Sequence, residues 1–399
     1  MNVKTLTASI LRRISGIGKC QRKFFLRLVF LQLSLRTRYN FLNMSRYGEY
    51  SEQSYRLNYS KSFPFSHFNE LLIKEYCGKD LAILFDPSYI SKSGKRTPGV
   101  AYFWSGCAGA MKWGMELCGI AVADMENHTA IHYQATQTEN IKGEESLREF
   151  YAKIITEQQQ DLHRISKNIV VDAFFSKKTF IDPICGAGFV VTSRLPKNVY
   201  LRYKYQGEQH QGKGRPKQFD GKIDINNVST DHFTILSQNE EEIIYEGVAH
   251  VRSLKRWCKI AIVHHLKEGK KAKVLIYLST ELDMSGQRVI DLYRMRFQIE
   301  YLYRDAKQHL GMTHCQSRQK EALNYHFNAT LTTLNLAKVQ HWLSIPKETR
   351  GPFSMADIKT QYINELLLDK LISIYGKDPS VEKNNPEILK LYQLGAIAA

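Results

Sequence analysis

The sequence predicts an α/β protein: a mixed sheet flanked by helices, with a helical N-terminal domain and a β-rich insertion. Two short apolar runs, residues 80–86 and 168–172, each end in an aspartate and are typical of buried central strands. Residues 285–310 carry apolar side chains at helical spacing, as in a helix that docks on a sheet. With 399 residues, the chain can bury a sizeable core and exceeds one average domain.

The first 79 residues form a predicted helical domain with a strong excess of basic residues. They hold fourteen Lys and Arg against four Asp and Glu. This surplus of basic residues accounts for more than half of the formal net charge of +17. Tyrosines and arginines interleave between Arg36 and Tyr59, a mixture that suits phosphate contacts and packing against sugars or bases. A polyanionic partner is the first expectation. The alternatives left open are a basic solvent-facing side of a small helical domain and an anionic membrane surface.

Several classes of protein are disfavoured by composition. No apolar run approaches the roughly 20 residues that a membrane-spanning helix needs, and no secretory signal is evident. The seven cysteines are odd in number and include no Cys-x-x-Cys pair, which argues against a disulfide framework or a structural zinc site. We therefore expect an intracellular, cytoplasmic protein without a membrane partner.

Residues 80–194 are predicted to form the first part of a core. A first strand ends at Asp86, where Pro87 is expected to stop the ladder. A basic loop with Lys92 and Lys95 follows it. The further predicted elements are antiparallel strands at 114–123 and 130–136, a helix at 144–165, a strand at 168–172, a helix from about 176, and a strand at 189–193.

The second half of the chain divides into three predicted segments. Residues 195–272 read as a β-rich insertion with a basic, glycine-rich loop that carries Lys213, Arg215 and Lys217. Residues 273–345 return to the core, and residues 346–399 form a helical C-terminal region.

One uninterrupted helix is predicted at 285–310. Tyr293, Arg296, Glu300 and Lys307 fall within a sector about 60° wide at about 100° per residue. A separate apolar stripe contains Leu292, Met295, Ile299, Leu302, Ala306 and Leu310. The helix thus presents a carboxylate between two cations and a tyrosine beside its buried side. The alternative is a solvated face with ordinary i,i+3 and i,i+4 ion pairs.

Three carboxylates are candidates for one metal site: Asp86, Asp172 and Glu300. Each aspartate alone could be a helix or turn cap. Two carboxylates at the tips of neighbouring buried strands would repel each other and lose hydration, unless a divalent cation lay between them. Oxygen ligands suit Mg²⁺ or Mn²⁺, and two such ions about 3.5–4 Å apart can activate a nucleophile and stabilise a leaving oxygen in phosphoryl transfer.

These residues resemble a known family. The pattern Tyr-x2-Arg-x3-Glu-x6-Lys, met by Tyr293, Arg296, Glu300 and Lys307, resembles the YREK catalytic helix of insertion-sequence DDE transposases (insertion-sequence family four). The stretch DPSYISKSGK from Asp86, continuing to YFWSG at 102–106, is similar to the family's first-aspartate region. The stretch VDAFFS at 171–176 is similar to its second, with Ala where a small residue, often Gly, usually follows the acid. The resemblance covers about residues 80–345.

The resemblance implies a ribonuclease H-like core and cut-and-paste transposition: cleavage of double-stranded DNA at terminal inverted repeats, then strand transfer into target DNA. It implies two Mg²⁺ ions, replaceable by Mn²⁺, held by the three carboxylates, and a homodimer in the synaptic complex. Phe297 and Trp257 would either stack on a displaced base or pack in the core. The alternatives are an inactive transposase-derived DNA-binding protein and a nuclease that only hydrolyses. The residues expected to contact DNA are Tyr293, Arg296, Lys307, Lys92, Lys95, Lys213, Arg215 and Lys217.

Overall fold

The computed structural model describes residues 2–94, 96–139, 141, 143–209, 215–267, 270–382 and 385–396. The N-terminal part is helical, as predicted. Its helices are α1 (Val3–Arg13), α2 (Lys19–Ser34), α3 (Phe41–Tyr47), α4 (Glu52–Tyr59) and α5 (Phe65–Tyr76).

The strands that follow form one mixed sheet. They are β1 (Leu81–Ser91), β2 (Ala101–Ser105), β3 (Ala110–Asp124), β4 (Thr129–Gln137), β5 (Asn168–Val170), β6 (Val190–Leu195), β7 (Leu201–Lys204), β8 (Phe219–Lys222), β9 (Thr234–Gln238), β10 (Glu242–Val251), β11 (Arg256–Lys267) and β12 (Lys270–Ser279).

The remaining elements are helical. The helices are α6 (Glu144–Thr156), α7 (Gln159–His163), α8 (Lys178–Gly186), α9 (Gly286–Arg294), α10 (Phe297–His309), α11 (Lys320–Ser344), α12 (Met355–Ile374), α13 (Pro379–Glu382) and α14 (Pro386–Gln393), with 3₁₀ turns at Ala173–Phe175 and Lys347–Thr349.

The sheet has the order β2-β3-β1-β5-β6-β12-β11-β10-β7-β8, with β4 paired to β3 and β9 to β10. In the core, β1 is antiparallel to β3 and parallel to β5, which is parallel to β6. Helices α6 and α8 lie against this part of the chain, and α10 contacts β1, β3 and β4. The α/β fold with a ribonuclease H-like core is therefore confirmed. The strands of residues 195–272 extend the same sheet through the β6–β12 pair.

Strand β1 does not stop at Pro87, contrary to the prediction. It continues to Ser91, and Pro87 lies opposite Cys118 in the ladder with β3. Its other neighbour, β5, pairs only with Ile83 and Leu84. Beyond Leu84 that side of β1 has no β5 partner, so a proline without an N–H is tolerated there as on an edge strand.

The prediction of one helix at 285–310 is also wrong in one respect, because the segment forms two helices, α9 and α10. Between α9 and α10, the Arg296 N–H donates to the Tyr293 carbonyl (3.0 Å) and the Gln298 N–H to that of Met295 (3.0 Å). These i→i+3 bonds form one tight turn, with neither Gly nor Pro at the break. The predicted apolar stripe is confirmed, since all six of its residues are at most 5% exposed.

The N-terminal helices share one apolar core with the rest of the chain. Tyr39, Tyr55 and Tyr59 are buried in it, at 5%, 1% and 0% exposure. The expectation that these tyrosines pack against sugars or bases is therefore wrong. They interleave with arginines because the rings point inward while the charged groups reach solvent.

Within the described residues, no helix has the length and apolar composition needed to cross a bilayer.

Candidate active site

Asp86 and Asp172 approach each other because their strands are parallel neighbours. Leu84 of β1 pairs with Val170 of β5, and each aspartate lies two residues further along. The Asp172 carboxylate also caps the following 3₁₀ turn, since the Phe174 N–H donates to its Oδ1 (2.8 Å). The cap interpretation is therefore confirmed for Asp172, while the site interpretation stays a prediction. Asp86 lies within β1 and starts no helix.

Arg296 connects this pair to Glu300. Its Nη2 lies 2.7 Å from Oε1 of Glu300, and its Nη1 lies 3.9 Å from Oδ1 of Asp86. The Arg296 side chain is only 10% exposed, whereas that of Glu300 is 45% exposed. A largely buried guanidinium thus lies between a buried carboxylate and one that reaches solvent.

The electrostatics show how crowded the acids are. Burial, together with the negative charges of Asp172, Glu300 and Glu116, raises the pKa of Asp86 to about 8 against the opposing charge of Arg296. Burial also raises the pKa of Asp172, against the Phe174 N–H and the charge of Arg296. Carboxylates that raise one another's pKa in this way favour a cation between them.

The carboxylate oxygens are suitable donors for a hard divalent cation. In the described part of the chain, however, no three His, Cys, Asp or Glu side chains are grouped closely enough to hold a metal ion. Here the positive charge among the acids is that of Arg296. The donor chemistry fits a divalent ion, and closer approach of the three oxygens requires a side-chain rearrangement.

Tyr293 and Phe297 flank Arg296 on either side of the helix break. Tyr293 is 5% exposed and packs on Tyr277, with ring centroids 5.1 Å apart. The Arg296 guanidinium lies 4.4 Å from the Phe297 ring centroid. Phe297 is 46% exposed, so it is not a core residue, whereas Trp257 packs against Phe219 (5.7 Å).

Lys307 reaches back from α10 to β1. Its Nζ donates to Oγ of Ser88 (2.9 Å) and to the carbonyl oxygen of Tyr89 (2.8 Å), two and three residues beyond Asp86. Burial lowers the pKa of Lys307. Tyr293, Arg296 and Glu300 thus lie around the helix break, and Lys307 on α10 contacts β1 just beyond Asp86.

The other basic residues expected to contact DNA lie elsewhere. Lys92 donates to the carbonyl oxygens of Cys315 and Ser317, which ties the start of its loop to the segment after α10. Arg215 and Lys217 contact Gln218 and Asp220 near β8, at the far end of the sheet. Lys95 and Lys213 lie outside the described residues.

Three residues near the acids were missed by sequence reasoning. The Tyr303 hydroxyl donates to the Asp86 carbonyl oxygen (2.6 Å), and a Cβ on Gly119 would lie 2.0 Å from that hydroxyl. Arg194 lowers the pKa of Asp172, and Glu116 raises that of Asp86. Arg194 had a detectable signal, because it comes directly after the strand predicted at 189–193, although the structure places it within β6. No comparable sequence signal pointed to Tyr303 or Glu116.

Among curated proteins, no match to the chain is found. The family described as "Transposase DDE domain" matches residues 103–336, more than half of the chain. The matched region contains Asp172, Arg194 and Glu300, and Asp86 lies just before it. Because this match spans more than half of the chain and agrees with its α/β core, the chain belongs to the transposase DDE domain family.

Proposed function

We propose that this chain is a YREK-type transposase of insertion-sequence family four, and that it moves its element by cut and paste. The observation that carries the proposal is the electrostatic contact among Asp86, Asp172, Glu300 and Arg296, which come from three separate parts of the chain. The family match supports a DNA substrate and a divalent-metal enzyme in general terms.

Asp86, Asp172 and Glu300 would hold two Mg²⁺ ions, with Mn²⁺ as a substitute. When bound, the ions would lower the pKa of the attacking hydroxyl group and stabilise charge on the leaving oxygen. For Glu300 to reach the buried aspartates, its 2.7 Å pair with Arg296 must loosen. Glu300 is 45% exposed, so water can solvate its carboxylate when the pair opens, and a bound phosphate would take its place beside the largely buried Arg296.

The cations of the site would bind the DNA backbone near the scissile phosphate. Arg296 Nε is buried and has no hydrogen-bond partner within the described residues, so one donor of the guanidinium is left for a substrate oxygen. The Lys307 ammonium uses two of its three protons on β1. Both groups can position a phosphate and offset the charge that develops in the transition state. The exposed Phe297 ring is suitably placed to stack on a displaced base.

In the proposed reaction, water first cleaves each transposon end and releases a 3′-hydroxyl. That hydroxyl then frees the element, commonly through a hairpin in relatives, and finally attacks a phosphate of the target DNA. Each step forms one P–O bond and breaks another, so no external energy source is needed. A homodimer that holds two ends together would couple the two transfers.

A strand-transfer assay tests the proposal with pre-cut 3′-hydroxyl ends taken from the inverted repeats that border the reading frame. We expect the full chain to join these ends to a plasmid only when Mg²⁺ or Mn²⁺ is present. Binding without cleavage or joining would instead identify a DNA-binding derivative. Hydrolysis without joining would identify a nuclease.

A further inference from the structure

A second basic site lies at the opposite end of α10 from Glu300. It is a cavity of about 420 Å³ between the α2–α3 connection, the end of α10 and helix α12. None of the described residues that line it is acidic. Its basic lining residues are Arg36, Arg38, His309, His314 and Lys359.

The positive charge of this cavity is not neutralised by the protein. Arg36 and Arg38 are exposed and make no ion pair within the described residues. The Lys359 ammonium donates to the carbonyl oxygens of Gln32 (3.1 Å) and Leu35 (2.6 Å), which are dipoles and not charges. Burial and the positive charge of Arg36 together lower the pKa of Lys359 to about 7. An anion in the cavity would relieve this repulsion.

The walls of the cavity are fixed by Tyr39. Its hydroxyl lies 2.8 Å from the carbonyl oxygen of Gln32 and 3.0 Å from that of His309, so it joins α2 to the end of α10. Gly311, at φ +63°, lets the loop after α10 approach closely, since a Cβ there would lie 2.2 Å from the Tyr39 ring. The Tyr39 N–H donates to Nδ1 of His314 (3.5 Å), which leaves Nε2 of His314 to carry the proton as a donor.

We propose that this cavity binds a phosphate of the DNA backbone, at a contact separate from the site of cleavage. The inference rests on the proposed function and adds a second DNA-contact site to it. His309 follows Glu300 by nine residues of α10, about 14 Å at 1.5 Å per residue. That length corresponds to roughly four base pairs of duplex at 3.4 Å each. Lys307 lies between the two sites, so a duplex that follows α10 from Glu300 would reach the cavity.

The location gives the contact a purpose beyond affinity. The cavity is made by the N-terminal helices, the catalytic helix and the C-terminal helix α12, so a phosphate there would touch all three. DNA binding would thereby stabilise the docking of α12 on α2.

The test uses the full chain, a fluorescein-labelled DNA duplex, and fluorescence anisotropy over a range of salt concentrations. The double variant Arg36→Ala/Arg38→Ala removes two exposed cations that have no ion-pair partner, so we expect the fold and the melting temperature to be retained. The control Lys370→Ala/Lys377→Ala removes two exposed cations on and just after α12, outside the cavity. The conservative variant Arg36→Lys/Arg38→Lys keeps the charge.

If the cavity binds one backbone phosphate, the alanine double variant lowers the slope of log K against log salt by about 0.9. At about 0.1 M salt this is a loss of roughly eightfold in affinity. The lysine variant and the control keep the wild-type slope.

An unchanged slope in the alanine variant would overturn the inference, while normal cleavage by the wild type would leave the transposase proposal intact. A wild type that neither binds nor cleaves DNA would overturn the proposed function itself. Inorganic phosphate that stabilises the wild type but not the alanine variant, with no effect of the variant on DNA affinity, would assign the cavity to a free anion instead.

Discussion

Replacing Glu300 with glutamine tests the assignment of the site most directly. The change keeps the size of the side chain and removes its charge. Its cost in stability should be small, because the glutamine amide oxygen can still accept a hydrogen bond from the largely buried Arg296, and the carboxylate that loses its charge is 45% exposed. We therefore expect the melting temperature to fall by no more than about 4 °C.

The expected effect on catalysis is far larger. A metal-ion site supplies several kcal/mol of transition-state stabilisation, and each 1.36 kcal/mol changes the rate tenfold. Glu300→Gln should therefore slow single-turnover strand transfer roughly a thousandfold or more. DNA affinity should stay equal or become slightly tighter, since the variant has lost a negative charge next to the phosphate backbone.

Asp291→Asn is the matched control. Asp291 lies on α9, is 40% exposed and pairs with Arg294 at 3.6 Å, so the variant makes the same charge change in a more exposed ion pair on the neighbouring helix. We expect it to react within about twofold of wild type. Isothermal titration with Mn²⁺ gives an independent readout, in which Glu300→Gln should weaken binding and Asp291→Asn should not. A Glu300→Gln enzyme that joins ends at a rate within tenfold of wild type would refute the assignment.

Three further predictions follow from single contacts. Lys307→Ala removes the hydrogen bonds to Ser88 and to the Tyr89 carbonyl oxygen, together with a proposed phosphate ligand. We expect kcat to fall and excess Mg²⁺ not to restore it. Full rescue by metal would contradict a positioning role for Lys307. Tyr303→Phe leaves the Asp86 carbonyl without its 2.6 Å bond, and urea unfolding should show a loss of about 1–3 kcal/mol. Burial lowers the pKa of His326 to about 4, so protons bind the unfolded chain first and stability falls from about pH 6.5 towards pH 4, by about 1.4 kcal/mol per pH unit. Urea unfolding at pH 7 and pH 5 should show a smaller loss for His326→Gln, and an equal loss would contradict the buried neutral state.

The sequence predicted the parts of the fold that depend on local pattern. The apolar runs before Asp86 and Asp172 became β1 and β5 because residues buried on both faces of a sheet are apolar at every position. The parallel pairing of these strands then brought the acids together. The spacing of the apolar stripe on 285–310 likewise marked the buried side of α9 and α10.

Features set by tertiary contacts were not predictable. Pro87 remains in β1 because β5 is short, and strand length in a neighbour is not visible in the sequence around the proline. No Gly or Pro lies at the helix break near Arg296, so the sequence did not predict it. The interleaved tyrosines of residues 1–79 have the composition of a nucleic-acid surface, and only the packed structure shows that Tyr55 and Tyr59 face inward.

The position of Arg296 links the electrostatics of the fold to the proposed chemistry. Two buried aspartates side by side need positive charge, and a protein can supply it with a metal ion or with a side chain. Here the guanidinium fills that role while its Nε, unpaired within the described residues, remains available to an acceptor. If DNA brings a phosphate to Arg296, divalent ions can replace the guanidinium among the acids. Arg296 would then neutralise the carboxylates in the free protein and bind the phosphate in the DNA complex. Such an exchange would make metal binding stronger in the presence of DNA, because the phosphate draws Arg296 away from the carboxylates that the ions need.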